Sequence, residues 1–413
     1  AFDSMVEKFR TEYAFTEYKN IDWDALSAEF RPRFEEAERR NDEEGYGLAL
    51  WEFIQRIPDG HVYMAEWNPS VLDRLREALG GGIGMAVREV EGGSIIASFI
   101  LPGGPADTAG IQHGATIVTI NGSPAEDFVN AVVPWLGPFG TDHTRRLGQL
   151  HEATRFPVGD TVRITYRNPG GGEATASLTA INEWDSWDAF SGIAAPNGYE
   201  LPVQYQVLDS GIVYVQITSF LDNDLLSIQL WERMIQQMNN DGMDRLIIDM
   251  RQNGGGSGFL ADQMAAYFFN QPLVIGNTAY YSESLGEFYV NPDSEEKFIL
   301  PPEDLRFNGQ VAVLIGPDCA SACEFFSYDM TLQDRATIVG FYPTAGMGGS
   351  VEYFDMPGGT QLSFTIGRGL DAEGNIHIEG IGVVPDVPVP LTAENLLSDG
   401  DPVLEAAITA LGG

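Results

Sequence analysis

The sequence predicts a multidomain α/β protein, and three regional patterns support this prediction. Residues 1–78 repeat apolar side chains at helical spacing, residues 79–183 favour short strands separated by glycine turns, and residues 184–413 alternate apolar strand-like runs with helical stretches. A chain of 413 residues is also longer than one typical domain. We therefore expect an N-terminal helical region, a β domain and an α/β core.

The N-terminal region is predicted to be helical because its apolar residues recur every three or four positions. This spacing places Phe2, Met5, Val6 and Phe9 on one helix face. The charged run at positions 31–44 is expected to form a solvated face.

The core is predicted to contain a largely parallel sheet. Three short apolar runs are predicted to be buried strands, at positions 212–217, 246–249 and 311–315. A helical pattern at 225–239 separates the first two. Strands that alternate with helices in this way form parallel sheets covered by helices.

Composition excludes several classes of partner. The formal net charge of −37, from 60 acidic against 23 basic residues, opposes binding to nucleic acid or anionic lipid. No apolar run is long enough to span a bilayer. The acidic excess with scarce lysine fits a salty or extracellular setting. We expect an extracytoplasmic protein (periplasmic, secreted or lipid-anchored), with a cytoplasmic setting left open, and a processed form because the chain begins at Ala1 without methionine.

The two cysteines, Cys319 and Cys323, are the only ones in the sequence and lie four residues apart at a predicted strand–helix junction. This spacing favours buried free thiols over a disulfide or a metal site. We expect no metal and no cofactor.

Ser321 is the strongest candidate for a catalytic residue. It follows the strand-like run at 311–315 and precedes a helical pattern that includes Phe325 and Phe326. A serine at a strand-to-helix turn can act as an acyl-transfer nucleophile, because the free backbone N–H groups of the helix start lie beside it. The ordinary alternative is a capping or close-packing residue.

The glycine triplet Gly254–Gly256 follows the strand-like run at 246–249 and precedes a second helical pattern. Consecutive glycines allow positive φ angles and close approach to a substrate, so their N–H groups can form an anion site. No Gly-Lys-Ser/Thr follows, which excludes a phosphate loop. Oxyanion binding is favoured over a flexible surface loop.

Several segments resemble peptidase family S41, which contains the C-terminal processing proteases and the tricorn core-like proteases. The matching segments are Asp249–Gly256, Ala320–Glu324, Ile338–Gly349 and Gly380–Asp386, with Asp22–Trp23 and Asp59–His61 near the N-terminus. The resemblance implies a crotonase/ClpP-like α/β catalytic domain at 184–413, preceded by a helical region that carries a catalytic histidine.

The region 79–183 resembles a bacterial PDZ domain. The resemblance rests on Gly81–Met85, Pro105–Gly122 and Val158–Tyr166. It implies that Gly82, Ile83, Gly84 and Met85 form a loop whose N–H groups bind a peptide C-terminus, and that the peptide adds as a strand to a sheet edge. The segment Val129–Phe156 is longer than usual; we interpret it as a decorated loop, with a lid or an interdomain contact as alternatives.

The base that activates Ser321 cannot be the lysine of the processing proteases. In those relatives a lysine stands in the Thr-x-Gly-Lys-Gly segment, but here that position is Met347, whose thioether accepts no proton. The only lysines are Lys8, Lys19 and Lys297, and none follows Ser321.

The resemblance to the tricorn-like branch implies a histidine base and a supporting glutamate. His61 and Glu379 stand at the matching positions, and an imidazole that titrates near neutrality suits the role. His377, which could alternate with Glu379 along one strand, is the rival base. Relatives of this branch have a serine before the histidine, whereas this chain has Gly60, so the link from Glu379 to His61 could pass through water or another side chain.

The resemblance also implies the two donors of an oxyanion hole. These are the N–H of Gly255, with Gly254 and Gly256 as alternatives, and the N–H of Ala322. Glu324 is interpreted as a capping carboxylate of the helix that follows Ser321.

The predicted function is therefore a serine endopeptidase that acts through an acyl-enzyme. Its expected partners are peptides or unfolded proteins, bound through an apolar C-terminus. The first alternative is a non-catalytic relative that binds peptides or other ligands. A crotonase-like acyl-CoA enzyme is less consistent with the sequence, because it needs a basic phosphate pocket that this acidic chain does not offer.

Overall fold

The computed structural model describes residues 1–193 and 198–413. Its N-terminal region is helical, as predicted, with one strand that the sequence analysis missed. The elements are α1 (Phe2–Glu12), α2 (Trp23–Arg40), α3 (Glu43–Ile54), β1 (Tyr63–Glu66) and α4 (Pro69–Leu79). The side chains of Asp22, Asp42 and Asn68 cap the starts of α2, α3 and α4. The core of this region is aromatic and includes Phe9 and Phe53, which are fully buried.

The predicted PDZ-like β domain is an antiparallel sheet with the strand order β3-β4-β5-β8-β9, in which β3 is an edge strand. Its elements are β2 (Gly81–Gly82), β3 (Met85–Glu89), β4 (Ile95–Ile100), α5 (Pro105–Thr108), β5 (Thr116–Ile120), β6 (Ser123–Pro124), α6 (Ala125–Ala131), α7 (Asp142–Glu152), β7 (Arg155–Phe156), β8 (Thr161–Arg167) and β9 (Glu173–Thr179). Apolar side chains such as Ile83, Ile117 and Ile164 fill its core.

The remaining residues form an α/β unit with two sheets. Its elements are α8 (Asp185–Asp188), β10 (Gln204–Val207), β11 (Val213–Gln216), α9 (Asp224–Asp241), β12 (Arg245–Asp249), α10 (Gly258–Ala265), β13 (Val274–Ser282), β14 (Glu287–Val290), β15 (Glu296–Lys297), β16 (Gln310–Leu314), α11 (Ala322–Asp329), β17 (Thr337–Gly340), β18 (Gly349–Met356), β19 (Thr360–Asp371), β20 (Val387–Pro388), α12 (Ala393–Leu396) and α13 (Pro402–Ala410). The main sheet has the order β10-β11-β12-β16-β17-β20 and is parallel from β11 to β20. This confirms the predicted parallel sheet.

The second sheet joins the N-terminal region to the α/β unit. It is antiparallel, with the order β1-β19-β13-β14, and β15 and β18 flank β13 and β19. The backbone N–H of Ala14, in the loop between α1 and α2, also donates to the carbonyl of Thr365 on β19 at 2.9 Å. The N-terminal region is thereby tied to the core through main-chain hydrogen bonds.

The segment Val129–Phe156 is not the decorated loop that we expected. It contains helix α7 and contacts both other parts of the protein: Trp51 Nε1 donates to Trp135 O at 3.0 Å, and His143 Nε2 lies 3.0 Å from Thr344 O. The alternative interpretation, an interdomain contact, is the correct one. Within the described residues, no helix has the length and apolarity needed to cross a membrane.

Candidate active site

Ser321 lies in the turn between β16 and α11 and has an unusual backbone conformation. Its φ is +55° and its ψ is −123°, a combination that few residues other than glycine adopt. Two hydrogen bonds hold the turn: Ala320 N donates to Asn253 O at 3.1 Å, and Ser321 N donates to Glu324 Oε2 at 3.0 Å. The surrounding structure therefore fixes a strained turn at the start of a helix, as is typical of functional sites.

Gly255 packs directly against this turn. Its φ is +99°, and a Cβ atom at this position would lie 2.6 Å from Ala320 O and 2.8 Å from Ser321 Cβ. The N–H of Gly255 donates to Asn253 Oδ1 at 2.9 Å. The N–H of Ala322, in contrast, makes no hydrogen bond to the described residues. The glycine loop and the serine turn are thus in contact, and the N–H of Ala322 is the free donor beside them.

Glu324 caps α11, as expected, and also organises a loop that the sequence analysis did not connect with it. The buried carboxylate accepts four hydrogen bonds, from Ser321 N, Thr344 Oγ1, Gly346 N and Met347 N, at 2.6–3.0 Å. Burial raises the pKa of Glu324 to about 7, although these four donors favour the ionised form. One carboxylate therefore joins the serine turn to the loop at 344–347.

The expectation of free thiols at Cys319 and Cys323 is wrong, because the two residues form a disulfide. Both are fully buried, as expected. The turn around Ser321 brings their Cα atoms to 5.4 Å, which is within the range of disulfides. The disulfide therefore closes a small ring that contains Ser321.

His61 follows a tight turn that Asp59 organises. His61 N donates to Asp59 Oδ1 at 2.8 Å, and Asp59 Oδ2 accepts from the hydroxyls of Tyr13 and Thr365 at 2.8 Å each. Burial lowers the pKa of His61, with Asp59 opposing and Lys19 adding to the shift. The imidazole is therefore neutral near pH 7, as a base must be.

Neither ring nitrogen of His61 has a catalytic partner in this conformation. Among the described residues, no hydrogen bond joins His61 to Ser321 or to Glu379, and the buried Nδ1 has no partner. Met347 contacts a neighbour of each residue: its side chain packs against Gly60, and its N–H donates to Glu324.

Glu379 is fully buried, but it contacts Gly348 and Lys19 and not the expected partner, His61. Its Oε2 accepts from Gly348 N at 2.9 Å, and its Oε1 forms an ion pair with Lys19. Burial raises the pKa of Glu379 to about 8; the nearby Asp59 carboxylate adds to this shift, and Lys19 opposes it. Sequence reasoning considered Lys19 only as a base and missed this contact.

The surroundings of the rival base, His377, differ from those that we expected. Residues 377–379 are not in a strand, so the expected alternation of His377 with Glu379 does not occur. The His377 ring instead packs against Phe325 and Tyr328 of α11, with centroid distances of 5.8 and 4.2 Å.

The PDZ-like loop has a mixed environment. Ile83 and Met85 are fully buried, and Gly84 has a φ of +71°. The N–H of Gly82 donates to Ile181 O at 2.9 Å, and this glycine lies against the buried Arg155–Glu183 ion pair. The first of the four predicted peptide-binding N–H groups is therefore already bonded.

A cavity of about 880 Å³ lies between the PDZ-like domain and the α/β unit. Gly60 and Ala320, which directly precede His61 and Ser321, line one part of it together with Met347. Its other walls include aromatic and charged side chains from the PDZ-like domain and from the segment that follows it, namely Arg88, Phe139, Trp187 and Phe190. Among the described residues, no cluster of three or more histidine, cysteine or carboxylate side chains could hold a metal ion.

Comparison with known proteins gives matches along most of the chain. The model of peptidase family S41 matches residues 211–389, and the PDZ domain model matches residues 73–133. The chain is 24% identical over 371 residues to carboxyl-terminal-processing peptidase 2 of Arabidopsis thaliana, a match that covers 87% of this chain and 64% of the relative. It is 24% identical over 300 residues to a carboxyl-terminal-processing protease of Picosynechococcus, covering 70% of this chain and 59% of the relative. The matched part is thus about 60% of each relative's length.

Solved structures show the same fold. Mature CPAF, in complex with lactacystin, superposes with a TM-score of 0.69 and 17% identity, covering 99% of this chain and 96% of that one. A putative peptidase from Parabacteroides merdae gives a TM-score of 0.56 and 18% identity, covering 100% and 96%. These matches, together with the mixed α/β architecture, confirm the predicted fold class. The chain carries a PDZ domain, matched at residues 73–133, followed by a domain of peptidase family S41, matched at residues 211–389.

Proposed function

We propose that this protein is a serine endopeptidase in which Ser321 is the nucleophile, His61 the general acid and base, and Glu379 the supporting carboxylate. The observation that carries the proposal is the position of Ser321, at positive φ at the start of α11 with the Gly255 backbone packed against it. A turn of this kind presents a hydroxyl beside free N–H groups, as acyl transfer requires.

In the proposed reaction, Ser321 Oγ attacks the carbonyl carbon of the substrate while His61 takes its proton. The oxyanion is stabilised by the N–H of Ala322, which is free, and by that of Gly255, which must be shared with or released from Asn253. His61 then gives the proton to the leaving amine, and water hydrolyses the acyl-enzyme. Because hydrogen bonds in active sites commonly tighten when substrate binds, we expect His61 to approach Ser321 in the complex.

We propose peptides or unfolded proteins with an apolar C-terminus as substrates. Three features support this: the domain of peptidase family S41, the PDZ domain beside it, and the cavity between the two. Edge strand β3 and the positive φ of Gly84 suit strand addition by a peptide. The names of the curated relatives, carboxyl-terminal-processing peptidases, agree with recognition of C-termini.

We also propose an extracytoplasmic location. The Cys319–Cys323 disulfide supports it, since disulfides persist mainly in oxidising compartments. Fractionation of the source cells, followed by alkylation of the denatured protein, tests this; a cytoplasmic protein with two free thiols would contradict it.

The proposed activity is tested by labelling with a fluorophosphonate probe between pH 5 and 9. We expect the wild type to be labelled and both Ser321→Ala and His61→Ala to be unlabelled, with unfolding transitions that stay cooperative. Labelling that survives in Ser321→Ala would refute the assignment of the nucleophile. A well-folded wild type that is never labelled would favour the alternative, a non-catalytic peptide-binding relative, which measurement of peptide binding would then test.

A further inference from the structure

We propose that Lys19 is a positioning residue of the active site, and that it acts by fixing the carboxyl group of Glu379 and favouring its ionised form; this inference rests on the proposed peptidase function. The Lys19 ammonium forms an ion pair with Glu379 Oε1 and donates a hydrogen bond to Pro58 O. The side chain of Lys19 is 6% exposed and that of Glu379 is 0% exposed. One cation therefore contacts both the supporting carboxylate and the segment that precedes His61.

The burial of this lysine calls for an explanation. Lysine is almost never buried unless it is paired, and a buried ion pair adds little net stability because both charges must leave water. Lys8, in contrast, pairs with Glu12 and Glu352 at the surface. An ion pair that adds little stability but fixes the geometry of its side chains is expected at a functional site. The Lys19–Glu379 pair lies against the Asp59–His61 turn.

The loop that carries Lys19 is well anchored on the Glu379 side of the site. Its first residue after the α1 cap, Ala14, bonds to Thr365, as described above, and Tyr18 Oη donates to the backbone carbonyl of Glu379 at 3.2 Å. Two consecutive residues, Tyr18 and Lys19, thus contact the backbone and the side chain of Glu379. The loop between α1 and α2 is therefore a part of the candidate site, alongside the turns of His61 and Ser321.

The charges around Glu379 determine what loss of Lys19 does. The charged and titratable groups that face it are Lys19, Asp59 and Tyr13. Without the ammonium, the buried carboxyl groups of Glu379 and Asp59 face each other with no cation between them, so the pKa of Glu379 rises further and it ionises only at higher pH. A neutral Glu379 stabilises the imidazolium of His61 less, and Ser321 is then acylated more slowly. Pro58 O also loses its donor.

The test compares Lys19→Met, Lys19→Arg, Glu379→Gln and the double variant Lys19→Met/Glu379→Gln, with Lys8→Met as a matched surface control. The rate of fluorophosphonate labelling is measured from pH 5 to 9, and thermal unfolding is recorded for each protein. We expect Lys19→Met to slow labelling about ten-fold or more at pH 7 and to move the acid limb of the pH profile to higher pH. Lys19→Arg keeps the charge and recovers most of the rate, and Lys8→Met labels like the wild type.

The double variant separates positioning from a general structural role. If Lys19 acts through Glu379, Lys19→Met causes no further loss once Glu379 is already glutamine. An equal further loss in that background, or wild-type labelling by Lys19→Met alone, overturns the proposal. Either of these results, with a wild type that is labelled, overturns this inference alone. An unlabelled wild type overturns the proposed peptidase function as well, so the two failures are distinguishable.

Discussion

Met347 packs its thioether against Gly60, the residue directly before His61: a Cβ atom at position 60 would lie 2.9 Å from Met347 Sδ. At these two positions the sequence departs from the two branches of peptidase family S41 that it resembles. The processing proteases have a lysine at the position of Met347, and the tricorn-like relatives have a serine at the position of Gly60. The structure shows that the departures are complementary. The space that a serine side chain would need is filled by the methionine that replaces the lysine.

This complementarity predicts that Gly60→Ser is unfavourable unless Met347 is shortened. The added side chain must displace the thioether, and overpacking of this kind costs about 1–3 kcal/mol in unfolding free energy. Because the Met347 backbone is bonded to Glu324, the displacement also slows labelling of Ser321. Denaturant unfolding and labelling rates for Gly60→Ser, Met347→Ala and the double variant measure the coupling. The prediction fails if the cost of Gly60→Ser is the same with methionine and with alanine at position 347.

Glu324→Gln is expected to slow labelling of Ser321 about ten-fold or more. The carboxylate accepts hydrogen bonds from four donors, whereas the carboxamide presents an NH₂ group to two of them. Each donor left unpaired in a buried site costs about 1–3 kcal/mol, so both the serine turn and the 344–347 loop should shift. Glu394→Gln, at an exposed carboxylate in the first turn of α12, is the matched control. An unchanged labelling rate in Glu324→Gln would show that the loop does not depend on this carboxylate.

Gly255→Ala is expected to abolish labelling, whereas Gly254→Ala should be tolerated. The Cβ of an alanine at position 255 would lie 2.6 Å from Ala320 O, and the alanine would have to adopt a φ of +99°. At position 254 the same atom meets nothing within 4 Å, and φ is not positive. Labelling should fall by about a hundred-fold or more at position 255, as for loss of an oxyanion donor. Equal effects of the two substitutions would remove the argument that close approach of the Gly255 backbone is required.

The pH profile of labelling should contain two rises. The first follows deprotonation of His61, whose pKa burial lowers from 6.5, because the base must be neutral. The second follows ionisation of Glu379, whose pKa burial raises to about 8, because only the carboxylate stabilises an imidazolium. Activity is therefore gained, and not lost, as pH increases through both values. Glu379→Gln should remove the upper rise and keep the lower one; an upper rise that persists in this variant would assign it to another group.

Local sequence patterns were sufficient for the parts of the site that are continuous in the chain. Ser321 and the glycine triplet each follow a strand-like run, so their placement at the ends of β16 and β12 could be predicted from the parallel sheet alone. The contact between Lys19 and Glu379 could not be predicted from the sequence, because it joins a loop without periodicity to a turn that follows β19. The α7 helix did leave a signal: Thr141 caps it, and Leu147 and Leu150 are buried at helical spacing.

The Cys319–Cys323 disulfide also could not be predicted from the sequence, although the two cysteines are close in the chain. A spacing of four residues does not reveal whether the backbone between two cysteines turns. Here the turn that contains Ser321 lies between Cys319 and Cys323, whose Cα atoms are 5.4 Å apart. The spacing that we took to favour free thiols is therefore also compatible with a disulfide.

The strong acidity of the chain predicts that salt stabilises the protein. The formal net charge of −37 produces self-repulsion in the folded state, and added ions screen it over distances of about 10 Å at 0.1 M. The melting temperature at pH 7 should therefore rise as NaCl increases toward molar concentration. At about pH 4, where many surface carboxylates are protonated, the same titration should have a smaller effect. A melting temperature that is independent of NaCl at pH 7 would mean that local pairs, and not the net charge, dominate the electrostatics of folding.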